Sequence, residues 1–117
     1  MKRKKHFTSE IQSNREIAEG LFCLRFQYPT DLERPISGQF ITIRVADSSV
    51  PLLRRPFAFS AFDADLYEAE IIYQIRGPGT TILSELKEGS KIDVIAPLGR
   101  PFPKPQADRI PVLIGGG

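Results

Sequence analysis

Two short stretches of this chain hold residue types that can do chemistry. The first is Leu53-Arg54-Arg55-Pro56-Phe57-Ala58-Phe59-Ser60. In a strand, successive side chains point to opposite faces, so Arg54 and Arg55 point apart and Arg55 shares a side with Phe57 and Phe59. A guanidinium beside a flat aromatic suits a ligand with both phosphate and a planar ring. Pro56 has no backbone N–H to donate and belongs on an edge strand or beside an opening in a sheet. The second stretch is Gly77-Pro78-Gly79-Thr80-Thr81, leading into Ile82-Leu83-Ser84-Glu85-Leu86. A glycine-rich turn opening a helix offers unpaired N–H groups and the positive end of the helix dipole to an anion. The hydroxyls of Thr80, Thr81 and Ser84 add further hydrogen-bonding capacity. No Gly-Lys-Ser/Thr follows, so the turn is not a nucleoside-triphosphate loop. Taken singly, each stretch also has a plain structural reading: a strand with a solvated arginine and core phenylalanines, and a turn with a threonine cap.

Taken together they suit a diphosphate-bridged dinucleotide with a planar ring. A charge-assisted hydrogen bond is worth roughly 1.5–3 kcal/mol and a helix terminus about 0.3–2 kcal/mol. Micromolar affinity needs about 8 kcal/mol. Anion contacts alone fall short, so ring burial against Phe57 and nearby apolar side chains must make up the difference.

The elements that would position these residues read as short strands. Phe7 to Ile17 alternates loosely, with an irregularity or turn at Asn14-Arg15-Glu16, and ends at Gly20. Leu21 to Tyr28 places Phe22, Leu24, Phe26 and Tyr28 on one face. Phe40 to Ala46 does the same with Ile41, Ile43 and Val45. The central stretch runs to about Phe62 as one strand. Leu66 to Arg76 turns Ala69, Ile71, Tyr73 and Ile75 to one side. Thr80 or Thr81 caps a short helix whose Ile82, Leu83 and Leu86 face inward, closing at Glu88-Gly89. Lys91 to Ala96 aligns Ile92, Val94 and Ala96. Ile110 to Ile114 is a last apolar run before three glycines. The expected fold is all-β: a six-stranded antiparallel Greek-key barrel with one short helix.

Composition agrees with a single small domain. The chain has 117 residues, of which 41% are hydrophobic, and eight phenylalanines can fill a core. Ten prolines and nine glycines favour short strands. A formal net charge of +2 gives no case for nucleic acid. The basic tip Lys2-Arg3-Lys4-Lys5-His6 reads as a solvated terminus. The single cysteine, Cys23, rules out an intrachain disulfide and a cysteine-ligated cluster within this sequence. No run spans a membrane and no apolar leader follows the start, so a cytoplasmic location is expected.

Five motifs occur in one order: Gly38-Gln39-Phe40, Arg55-Pro56-Phe57-Ala58, Ile72-Tyr73-Gln74, Gly77-Pro78-Gly79-Thr80 and Pro97-Leu98-Gly99. Together they resemble the flavin-binding domain of the ferredoxin reductase family over nearly the whole chain. Within that family the likeness is greatest to the electron-transfer subunits of NAD-linked dihydroorotate dehydrogenases and related hydrogenase or sulfhydrogenase gamma subunits. The resemblance implies an FAD-binding barrel over 1–109. Arg55 would pair with the diphosphate and Phe57 would lie against the isoalloxazine or ribityl chain. The Phe57–Ala58 backbone would meet the ring's polar edge. Ile72, Tyr73 and Gln74 would flank the flavin, with Gly79 and Thr80 holding the diphosphate from the other side; Pro56 completes the cofactor-binding set. It also implies electron transfer between a nicotinamide and an iron–sulfur or flavin partner on another subunit. No catalytic acid or base and no metal ligand is implied.

Three departures stand out. Ala58 takes a position where the family has a hydroxyl, which makes FMN or altered redox tuning more plausible, with FAD still favoured. Residues 110–117 read as the first strand and glycine turn of a nicotinamide-binding domain whose helix is missing, so NAD(P)H binding is expected only in a longer chain and this chain alone is expected to be inactive. No downstream cysteines for a cluster are present. The competing reading is a cofactor-free barrel serving as a protein-interaction scaffold; a riboflavin-synthase-like or oligonucleotide-binding barrel comes third.

Overall fold

The computed structural model describes residues 3–45 and 54–116. Seven strands and one helix follow in order: β1 Lys5–Ala18, β2 Leu21–Gln27, β3 Phe40–Val45, β4 Arg55–Ala58, β5 Ala61–Asp63, β6 Glu68–Gln74, α1 Pro78–Glu85 and β7 Lys91–Leu98. The strands form one sheet in the order β4-β3-β7-β1-β2-β6-β5, with every neighbouring pair antiparallel. Leu53 and Ala46, the ends of two expected segments, lie outside the described residues.

The expected six strands become seven because the central stretch breaks at Phe59-Ser60. β4 lies at one edge of the sheet and β5 at the other. The two-residue link between them carries the chain from edge to edge, and Ser60 N–H donates to Glu70 O of β6 at 2.9 Å. The sheet thereby curls on itself, and β4 with β5 together occupy the place of one interrupted sixth strand.

β1 is long because it serves both halves. Its Lys5–Glu10 part pairs with β7 and its Ile11–Ala18 part with β2. The register shifts between Ile11 and Ser13 and again between Glu16 and Ala18, flanking the expected irregularity. Bulges of this kind bend and twist a strand, which lets β1 pass from one half of the curl to the other.

The core is the inner face of the alternating pattern. Leu24, Phe26 and Tyr28, Ile41 and Ile43, Ala69, Ile71 and Tyr73, and Ile92, Val94 and Ala96 are all buried. Tyr28 packs its ring edgewise on Phe7, Phe59 and Phe62 at 5.2–6.3 Å. The Gly38-Gln39-Phe40 and Pro97-Leu98-Gly99 motifs meet each other: Gln39 Nε2 donates to Gly99 O at 3.2 Å. A Cβ on Gly99 would lie 2.9 Å from the Phe40 ring, and its φ of +82° suits glycine. These two motifs are part of the scaffold.

Two expectations need correction. The helix ends at a Leu86 cap, before Glu88-Gly89. The run Ile110 to Ile114 is in no strand, and its Ile110, Val112, Leu113 and Ile114 are 79–91% exposed. A strand needs a neighbour for its backbone hydrogen bonds, and no described residue provides one here.

On the outer face, the Asp93 carboxylate of β7 ties three strands and the start of a fourth. It meets His6 Nε2 of β1 at 2.8 Å, Arg44 Nη2 of β3 at 3.3 Å and the Arg54 guanidinium, just before β4. Burial alone would raise its pKa, but hydrogen bonds and charge from His6 and Arg54 hold it below the usual carboxylate value. A depressed carboxylate adds stability above the unfolded value of about 3.9, and that stability is lost as pH falls through the folded value. Asp93→Asn should therefore cost about 2 kcal/mol in urea unfolding at pH 7. The gap from the unsubstituted chain should narrow below about pH 4; a constant gap from pH 7 to 3 would contradict this account of the cluster.

Candidate functional site

Cross-strand register decides where Arg55 goes. Ile43 pairs with Arg55 and Ile41 with Phe57, and paired residues share a face. Ile41 and Ile43 are buried in the core, so Arg55 and Phe57 lie on the inward side of β4, near the helix at the rim. Arg54 lies on the opposite face, bound to Asp93. The two arginines do point apart, as alternation requires.

Arg55 packs directly over the start of α1. A Cβ on Gly79 would stand 3.3 Å from Arg55 Nε and 3.7 Å from its Cγ. The glycine is what allows the guanidinium stem to lie against the first helical turn. Ile43, Arg44, Val45, Phe57 and Leu83 complete the cleft, whose free interior of about 10 Å³ holds roughly one water. Arg55 lines this narrow cleft and is itself exposed, so a ligand can meet the guanidinium from the surface. No carboxylate pairs with Arg55 among the described residues.

The helix start is organised by Thr80. Its hydroxyl oxygen accepts from the Arg76 N–H at 2.8 Å and the Gly77 N–H at 3.2 Å. Thr81 Oγ1 donates to Gly77 O at 2.8 Å, and Ser84 Oγ to Thr81 O at 2.6 Å. All three hydroxyls proposed as ligand donors are thus engaged in shaping the turn. Pro78 stands first in the helix without an N–H, and no acidic side chain occupies the first turn. The donors left for an anion are the N–H groups of Gly79 and Thr80.

Phe57 is held from the core side. Its ring meets Tyr73 edgewise at 5.9 Å, and Tyr73 stacks on Phe22 at 5.7 Å. Tyr73 is buried with its hydroxyl donating to Asn14 Oδ1 at 2.9 Å. Burial pushes its pKa up to about 12, and the Asn14 hydrogen bond pulls the other way. The Tyr73 side chain therefore supports Phe57, while the exposed neighbours Ile72 and Gln74 face outward. Gln74 Oε1 accepts from Arg76 Nη2 at 2.8 Å.

Asn14 went unread as a positioning residue. Its Nδ2 donates to Leu83 O at 2.8 Å and Leu86 O at 2.9 Å, the carbonyls that end α1. One amide thus ties the end of the helix to β1 and, through Tyr73, to β6. The only local signal was an asparagine within an otherwise alternating strand, which read as a turn.

Between β4 and β6 lies a seam. β6 pairs with β2 along its length, but with β5 only over Glu68–Glu70. Glu70 O faces the seam side, since it accepts from Ser60. By the two-residue period of strand backbones, the N–H and C=O of Ile72 and Gln74 face the same way. On β4, Pro56 can donate no ladder bond, so bonding to β3 falls on Arg55 and Phe57. The backbone of Ala58 then points to the free edge. The nine expected cofactor residues thus divide into a group at the helix start (Arg55, Gly79, Thr80), a seam of backbone (Pro56, Ala58, Ile72, Gln74) and an aromatic pair (Phe57, Tyr73).

This arrangement can hold an anion and the polar edge of a planar ring. The chain's one thiol is not activated: burial, reinforced by the Glu70 charge and a hydrogen bond to Glu70, raises the Cys23 pKa. Among the described residues no cluster of three or more metal-ligating side chains occurs.

The Asn14 links make a stability test. Asn14→Ala removes both hydrogen bonds to the helix end and strands the Tyr73 hydroxyl. It should cost about 2–3 kcal/mol in urea unfolding, and Asn14→Asp, which keeps an acceptor for Tyr73 but turns a carboxylate oxygen onto the two helix-end carbonyls, should recover none of that loss at pH 7. Equal stability of all three proteins would contradict the role given to Asn14.

No family model matches the chain. Among curated proteins it is 38% identical over 109 residues to the dihydroorotate dehydrogenase B (NAD(+)) electron transfer subunit of Bacillus pumilus, spanning 92% of this chain and 42% of that one. It is 38% identical over 119 residues to the same subunit of Bacillus velezensis, spanning 98% of this chain and 45% of that one. The chain thus spans less than half the length of the curated relatives it matches. Among solved structures, an NADH-dependent reduced ferredoxin-NADP oxidoreductase superposes with a TM-score of 0.72 and 29% identity, over 81% of this chain and 35% of the other. A ferredoxin reductase of carbazole 1,9a-dioxygenase superposes at 0.69 with 18% identity, over 82% and 29%; at that identity it speaks for the fold alone. Over nearly all of its length the chain is similar in sequence to dihydroorotate dehydrogenase B electron transfer subunits, and its curled antiparallel sheet has the fold of the ferredoxin reductase structures it superposes on.

Proposed function

We propose that this chain is the FAD-binding module of an NAD(P)H-linked electron-transfer oxidoreductase. The observation that carries this reading is the packing of Arg55 over Gly79, which brings a cation with no carboxylate partner among the described residues to the two N–H donors of a helix start. The cradle fits a diphosphate: a Cβ on Gly79 would crowd the Arg55 side chain, and no acidic side chain occupies the first turn of α1. Arg55 holds one side of the diphosphate and the N–H groups of Gly79 and Thr80 the other. Phe57, braced by Tyr73, lies against the ring or the ribityl chain. The seam backbone at Ala58, Ile72 and Gln74 meets the ring's polar edge, so the lack of a hydroxyl at Ala58 leaves a backbone N–H in its place. FMN has a single phosphate and does not span the cradle.

When bound, the flavin accepts a hydride and passes electrons on singly. The chain's own residues bind and orient it, and none of them moves a proton. The relatives are named electron transfer subunits of dihydroorotate dehydrogenase B, and this supports an electron-accepting catalytic subunit as partner. The exposed apolar residues 110–114 and the glycines after them support a reading of this stretch as the start of a nicotinamide-binding unit, the unit that would supply NAD(P)H oxidation. A cytoplasmic setting goes with that reading, and no described helix is long and apolar enough to cross a membrane.

Titration with flavins followed by absorbance and fluorescence tests the reading. The chain should take up FAD and turn yellow; failure to bind it would leave a scaffold role. Arg55→Ala should weaken FAD by about tenfold, roughly one charge-assisted hydrogen bond, and change riboflavin affinity little. Equal losses for both ligands would contradict the diphosphate role. Gly79→Ala should weaken FAD while leaving thermal stability equal or slightly higher, since alanine favours a helix over glycine. Lower stability with unchanged FAD affinity would make Gly79 a packing residue only.

A further inference from the structure

Ser60 is the point at which the chain changes neighbours. Before it, β4 is paired to β3, with Ala58 opposite Phe40. After it, β5 is paired to β6, with Ala61 opposite Glu70. Among the described residues no pairing joins β4 to β6. The seam between those two strands therefore opens at Ser60 and runs toward Pro56 on one bank and Gln74 on the other.

Glu70 grips that point twice. Its carbonyl accepts from the Ser60 N–H at 2.9 Å, and its Oε1 accepts from the Ser60 hydroxyl at 2.9 Å. A hydrogen bond to a charged acceptor is among the stronger kinds. Oε2 lies 3.3 Å from Arg25 Nε on β2, the residue paired with Glu70. Arg25 on one flank and Ser60 on the other thus keep the carboxylate in one place. Inside the same link, Phe59 packs against the core with its ring 6.3 Å from Tyr28.

We propose that Ser60 and Glu70 are positioning residues for the groove: their paired hydrogen bonds fix the apex of the seam, and with it the Ala58 backbone two residues upstream. The clasp stands on the geometry alone; its effect on a bound ring rests on the flavin reading above. Ala58 has no hydroxyl, so its backbone N–H is the polar group that this position brings to the ring's edge. That N–H keeps one distance from the ring only while its strand is held at both ends. β4 is four residues long. The Arg54–Asp93 pair and the pairing of Arg55 with Ile43 hold its start, and Ser60 holds the chain just beyond its end.

Amide hydrogen exchange in the chain without flavin tests the clasp. In Ser60→Ala the protection factor of the amide at position 60 should fall about fivefold, the loss of one hydrogen bond. Glu70→Gln should stay close to the unsubstituted chain. Its amide oxygen accepts from Arg25 while its NH₂ donates to the Ser60 hydroxyl, which takes either role. Protection at position 60 untouched by Ser60→Ala would overturn the clasp. In the second arm, Ser60→Ala should weaken riboflavin and FAD by the same factor, about fivefold, because the ring alone carries the loss. The visible absorption band of the bound flavin should shift in Ser60→Ala, since hydrogen bonds to the ring tune its electronics, and keep its position in Glu70→Gln. Unchanged affinity and an unchanged band in Ser60→Ala, or a loss confined to FAD, would overturn the link to the ring. A chain that takes up neither flavin would contradict the flavin reading instead, and the exchange arm would still decide the clasp.

Discussion

Everything on the helix side of this barrel depends on which way Arg55 faces, and the ion pair between Arg54 and Asp93 settles that. The two arginines are adjacent, so a strand sends them to opposite faces whatever else happens. Which one goes in is a separate question, because a slip of one residue would exchange them. Asp93 projects from the outer face of β7, two strands from β4. By capturing Arg54 across β3, it assigns the outer position to that residue. Arg55 is left opposite Ile43, above a helix turn that has no side chain to obstruct it. Hydrophobic pairing of Phe57 with Ile41 favours the same register, so electrostatics outside and packing inside agree.

The helix needs its own restraint, since eight residues are too few to be stable alone. Leu83 buries one contact and the Asn14 amide binds the carbonyls at the far end. Thr80 closes the near end by accepting from the two N–H groups before it. A helix held at both ends presents the N–H groups of Gly79 and Thr80 in a constant place. The aromatic brace of Phe22, Tyr73 and Phe57 does the same for the ring that lies beside Arg55.

Much of this was legible in the chain itself. Alternation correctly assigned the inner faces of β2, β3, β6 and β7, since burial of every second residue is a local pattern. It also separated Arg54 from Arg55, and the missing N–H of Pro56 correctly marked a free edge. What stayed hidden was contact between residues far apart in sequence. Nothing near Asn14 announces two helix carbonyls some seventy residues away, and nothing near Asp93 announces His6. The break at Phe59-Ser60 was hidden too, because its cause is closure of the sheet and not a local turn signal. Tyr73 was read as a flank of the ligand, and its side chain proved to be turned inward because β6 alternates through it. Ile110 to Ile114 has the composition of a strand but no described neighbour to pair with.

The central claim is that one diphosphate is held between the Arg55 guanidinium and the first turn of α1. The structure of the chain crystallised with FAD tests it most directly. The account predicts diphosphate oxygens at hydrogen-bond distance, about 3 Å, from both the guanidinium of Arg55 and an N–H of Gly79 or Thr80. A diphosphate bound against only one of these, or elsewhere on the barrel, would contradict it.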